Sequence, residues 1–168
     1  MAKPATDSTF DVAQWFVERA RFENGYLQAQ KLQRMLWLAQ GHYAATYHGR
    51  KLMPATFLAM AIGPQEPNIF RAYELGRPEL PDIQPAPEIV DFLDRLWGRF
   101  GHHSTEHLNK MVRAHQVYTD VLEKGEGEEI PFPSIARYFA ARRDAKPEPV
   151  VRGPDGREWK KWSPRAVK

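Results

Sequence analysis

Cysteine is absent from the chain. Its absence removes disulfide frameworks, thiolate nucleophiles and thiolate metal sites together, and fits a reducing compartment. Long apolar runs are also missing. No stretch approaches the roughly 18 apolar residues of a membrane span, and Met1 to Thr9 is polar, without the apolar core of a secretory signal. A soluble, cytoplasmic protein is therefore expected. No internal repeat, coiled-coil heptad or low-complexity tract is visible. What is present is ordinary folding material: 168 residues, 42% hydrophobic and 12% aromatic, enough for one domain with its own core.

Charge is unevenly placed. The net is +3 with 24 basic and 21 acidic residues. From Arg142 onward there are nine Lys or Arg against four acids, which leaves 15 basic and 17 acidic residues, about −2, for everything before. Only the C-terminal tail is basic, and the body is no phosphate-binding surface by net charge. The expected organisation is a helical domain over residues 8–142 followed by a basic tail over 143–168.

Apolar spacing predicts mainly helices. After Asp7, Ser8 and Thr9, all good N-caps, Ala13, Phe16, Val17 and Ala20 recur at helical intervals. Gln28 to Tyr47 places Leu32, Met35, Leu36, Ala39, Tyr43 and Tyr47 on one stripe and stops at His48-Gly49. The run Phe57 to Ile62, bounded by Pro54 and by Gly63-Pro64, fits either a buried helical turn or a short strand. A short helix is expected from Asn68 to Leu75. Another starts at Pro87 and ends at Gly101, one or more follow the Ser104 cap, and a last one spans about Pro133 to Arg142. In the tail, Gly153-Pro154-Asp155-Gly156 is a turn signal that could close a short hairpin. Leu32, Leu36, Leu93, Trp97 and Phe139 are expected in the core.

The segment Gln30-Lys31-Leu32-Gln33-Arg34-Met35-Leu36-Trp37-Leu38-Ala39-Gln40-Gly41-His42-Tyr43 resembles the signature helix of the Panacea domain, the SocA-like antitoxin family. Three further blocks resemble that family in order: Gly49 to Leu52, Phe57 to Pro64, and Asn68 to Gly76, with a weaker similarity over Leu108 to Tyr118 and Ile130 to Phe139. Four ordered blocks are more specific than any one of them. Met60, Gln65 and Tyr118 depart from the family pattern, which commonly has Trp, Val and Trp there. The resemblance implies a compact helical domain that binds and neutralises a cognate protein toxin, encoded by the adjacent gene, without catalysis. It also implies a second route, in which the antitoxin hands the toxin to the ClpXP protease.

Contacts with such a partner are expected on the helix face opposite the apolar stripe, at Gln30, Lys31, Arg34, Trp37 and Gln40, because Trp and Arg are enriched at binding hot spots. Gly63, Pro64, Gln65, Glu66 and Pro67 form either a turn between core elements or a toxin-binding loop. In the tail, Arg157, Trp159, Lys160, Lys161 and Trp162 interleave aromatic and basic side chains, the composition that stacks bases and neutralises phosphates. Nucleic-acid binding is therefore the rival function. His103 and His107 would share a helix face near His102 and His115, yet no H-E-x-x-H pattern or thiolate accompanies them, so no metal is expected. No glycine-rich phosphate cradle or nucleophile elbow appears. Neither an enzyme nor a cofactor is expected.

Overall fold

The computed structural model describes residues 2–144, 150–152, 154 and 156–160. Among them are seven helices: α1 (Thr9–Phe22), α2 (Ala29–Thr46), α3 (Pro67–Glu74), α4 (Pro87–Phe100), α5 (Thr105–Arg113), α6 (Gln116–Lys124) and α7 (Phe132–Asp144). Five short strands accompany them: β1 (Phe57–Met60), β2 (Gly63–Gln65), β3 (Glu129–Ile130), β4 (Val150–Arg152) and β5 (Glu158–Lys160). The chain is thus mainly helical with a small sheet.

The helix ends follow local chemistry. Ser8 caps α1 by accepting from the Phe10 amide, and Ser104 caps α5 by accepting from the His107 amide at 3.1 Å. Pro67 and Pro87 occupy first-turn positions of α3 and α4, where a missing N–H costs nothing. Gly101 closes α4, and His48 and Gly49, both at positive φ, close α2 with the Gly49 amide donating to the Ala44 carbonyl.

The run at 57–62 is a strand and a tight turn, not a helix. β1 lies in the middle of an antiparallel sheet of order β2-β1-β3, with Met60 opposite Gly63 across the Ala61-Ile62 turn. Pro64 is tolerated because β2 is an edge strand, where its absent N–H breaks no ladder. β4 and β5 pair antiparallel, Val151 opposite Trp159.

α2 is the axis of the fold, packing against α1, α3, α4, α5, α7 and β2. Every residue from Leu32 to Gly41 is buried, polar and apolar alike, so the helix has no solvated face along its middle. The expected core residues Leu32, Leu36, Leu93, Trp97 and Phe139 are all buried. Gly41 lets α7 approach, since a Cβ there would stand 2.3 Å from the Phe139 ring.

Candidate functional site

Three polar side chains of α2 are directed into protein. Arg34, fully buried, donates from Nε to Asn109 Oδ1 at 2.7 Å, from Nη1 to the Pro64 carbonyl at 2.6 Å and from Nη2 to the Ile62 carbonyl at 2.7 Å. Burial pushes this guanidinium down to about 10, still charged at neutral pH, and carbonyl dipoles stand in for a counter-ion. Gly63 is required beside it: its φ is +132°, and a Cβ there would lie 2.5 Å from the guanidinium carbon.

Gln33 and Gln40 make the same kind of clamp. Gln33 Nε2 donates to the Glu66 carbonyl at 3.0 Å, while the Glu66 amide donates back to Gln33 Oε1 at 2.8 Å. Gln40 Oε1 accepts from the Leu52 and Met53 amides, and its Nε2 donates to the Met53 carbonyl. Trp37, 0% exposed, sits edge-on to Phe57 and Phe139 and donates from Nε1 to His115 Nδ1 at 3.0 Å. These groups fix the loop and strand that follow α2 against the helix.

The outward face expected on α2 therefore needs correction. Arg34, Trp37 and Gln40 are interior, because the other elements wrap α2 on every side. Lys31 is half-buried, its Nζ donating to the Gly101 carbonyl at 2.6 Å as a cap on α4 and lying over the Trp97 ring. Gln30 alone of the five is exposed. Of the two readings of Gly63 to Pro67, the toxin-binding loop also needs correction, since the segment is inward: Gly63, Pro64 and Gln65 form β2, all buried, and Glu66 is 0% exposed. Glu66 caps α3 by accepting from the Ile69 amide at 2.7 Å; burial raises its carboxyl above the usual range, partly offset by that bond. Pro67 opens α3 and is half-buried.

One groove does gather predicted residues, Gln30, Arg34 and Gln65, along its walls. Gln30, Gln33 and Arg34 of α2 meet Gln65 of β2, Ile62 of the turn, and Ile69, Phe70 and Tyr73 of α3 around an apolar cavity of about 210 Å³. Ile62 is 46% exposed and Phe70 47%, large apolar surface left to solvent. Neither Ile62, Phe70 nor Tyr73 could be singled out beforehand, since each sits in an apolar pattern that reads as core.

Of the tail residues, Arg157 is exposed, Trp159 and Lys160 belong to β5, and Lys161 and Trp162 lie outside the described residues. The His103 and His107 rings stack at 4.4 Å, and no group of three or more metal-ligating side chains occurs among the described residues. Comparison with known proteins finds no matching family model, curated protein or solved structure.

Proposed function

We propose that this protein is a non-enzymatic antitoxin of the Panacea, SocA-like kind, which binds a cognate protein toxin through the groove between α2, the β1–β2 turn and α3. One observation carries the reading. Three of the four sequence blocks that resemble the family converge on that groove: Gln30 to Arg34 from the first, Ile62 from the third, and Ile69 to Glu74 from the fourth. A helical scaffold whose interior is locked by buried side-chain clamps, with exposed Ile62 and Phe70 at one mouth, suits docking by apolar contact.

The test is co-expression with the product of the adjacent gene, scoring growth and toxin level with and without ClpXP. Rescue with a stable complex supports direct neutralisation, and rescue with protease-dependent loss of toxin supports the adaptor route. Phe70→Asp and Ile62→Asp should abolish rescue while leaving the fold intact. Rescue that survives both substitutions, or fails only when residues 147–168 are removed, moves the function to the tail.

A further inference from the structure

On the other side of α2 lies a second cleft, of about 440 Å³, whose walls come from α2, α4, α5, α7 and the start of α6. Arg99, Arg142 and Arg143 stand around it, and His42 and His115 line it with Phe139. No acidic residue is among its described lining residues.

The cations there keep most of their donors uncommitted among the described residues. Each guanidinium carries five N–H donors. Arg142 uses one on the Tyr138 hydroxyl at 3.1 Å, Arg143 uses one on the Ala45 carbonyl at 2.7 Å, and Arg99 lies over the Phe100 ring. None of the three forms an ion pair among the described residues.

His115 supplies an independent indication. It is 6% exposed, and its Nδ1 accepts from Trp37 Nε1, an atom that can only donate. The neutral ring must therefore carry its proton on Nε2, and that N–H has no acceptor among the described residues. Among the described residues no buried side-chain nitrogen or oxygen is left sealed from solvent without a partner, so this donor opens outward, on a ring that lines the cleft. His42 stacks on Phe100 at 5.3 Å and meets Phe139 edge-on at 5.0 Å; its ring nitrogens hold no hydrogen bond among the described residues.

From this arrangement we infer that the cleft is a binding site for the phosphoryl group of a small ligand, gripped by Arg99, Arg142 and Arg143 with His115 Nε2–H donating from the floor. Guanidinium forks match phosphate oxygens bidentately, and three of them suit a dianion better than a single carboxylate. The volume falls in the roughly 300–1,000 Å³ of small-molecule sites and exceeds a bare phosphate, leaving room for an organic part against Phe139. Burial, with Arg99, His115 and Arg142 adding to it, pushes His42 down to about 4; burial and then Arg142 do the same to His115. A bound anion offsets the neighbouring positive charges and favours the protonated rings, which raises both.

The test follows the histidine ring signals of the full chain by NMR during titration with inorganic phosphate, a nucleoside monophosphate and acetate at low salt. Saturable shifts of His42 and His115 with both phosphorylated probes, and an upward move of their titration midpoints, are expected. Equal affinity for the two probes makes the phosphoryl group the whole determinant; tighter binding of the nucleotide adds its organic part. Arg99→Gln with Arg142→Gln should weaken binding by roughly tenfold or more at unchanged thermal midpoint, and Arg99→Lys, keeping charge without the fork, should fall between. Acetate binding as well as phosphate overturns the assignment. So do shifts that persist in the double variant, and binding of a single-stranded oligonucleotide with none of either small probe.

Discussion

The two clefts flanking α2 differ in how far their polar groups are already engaged. Around the groove with α3, Gln33 and Arg34 give their donors to the Glu66, Pro64 and Ile62 carbonyls, and apolar surface is what remains open. Around the cleft with α4 and α7, the arginines and His115 keep donors without acceptors among the described residues. A cation is structural when it is buried and its hydrogen bonds end within the protein, as for Arg34, and available for a ligand when it stands exposed with donors to spare, as for Arg142. Residue type alone does not separate Arg34 from Arg142.

That contrast can be broken most severely at Arg34. Arg34→Leu leaves the Pro64 and Ile62 carbonyls and Asn109 without their donor and should lower stability by about 2–4 kcal/mol in urea unfolding. A loss below about 0.5 kcal/mol, the usual size for a surface change, would mean the guanidinium is no clamp.

Acid should act next. His42 and His115 are held neutral in the fold, with both values pushed down to about 4 from the ordinary 6.5. The unfolded chain therefore binds more protons between those values, so the stability these rings leave intact above pH 6.5 drains away as pH falls towards 4. At about 1.4 kcal/mol per unit, the loss is of order 2–3 kcal/mol for His115, less for the more open His42. Unfolding at stepped pH checks this, and His115→Gln, which keeps an acceptor for Trp37, should flatten part of the slope.

Gly41→Ala sharpens the link between helix packing and the cationic cleft. The added methyl meets the Phe139 ring, which Trp37, His42 and His115 hold in place. Overpacking should outweigh the helix-propensity gain and cost about 1–2 kcal/mol, with the His115 ring signals displaced. Smallest in stability are the exposed positions. Phe70→Asp and Arg142→Gln should each change unfolding by less than about 0.5 kcal/mol, while the first removes toxin rescue and the second weakens phosphate binding.

The helix boundaries were readable where one residue's chemistry sets them: Ser8, Ser104, Pro87 and Gly101 behave as their side chains require. Phe57–Met60 fits a strand or a helical turn in the sequence, because four apolar residues suit both periods, its near partner Gly63 to Gln65 reads as punctuation, and its other partner, Ile130, is distant in sequence. β2 was hidden behind Gly63-Pro64, which punctuate most chains but here form an edge strand. Arg142 and Arg143 carry part of the charge that the sequence groups with the basic tail, yet both belong to the last turn of α7, which runs to Asp144, two residues past the expected end at Arg142.

A mainly helical chain built on the Gln28 to Tyr47 helix is legible from residues alone, since caps and 3.6-residue periodicity are local properties. That the middle of that helix meets no water on any side is a consequence of packing between distant segments. Periodicity marks the apolar stripe but is silent about the other face, where Arg34, Trp37 and Gln40 look solvated until β2, the segment after α2, and His115 arrive to accept or donate their hydrogen bonds. Those partners lie between 12 and 78 residues away, and long-range pairing of polar groups leaves no trace in local sequence.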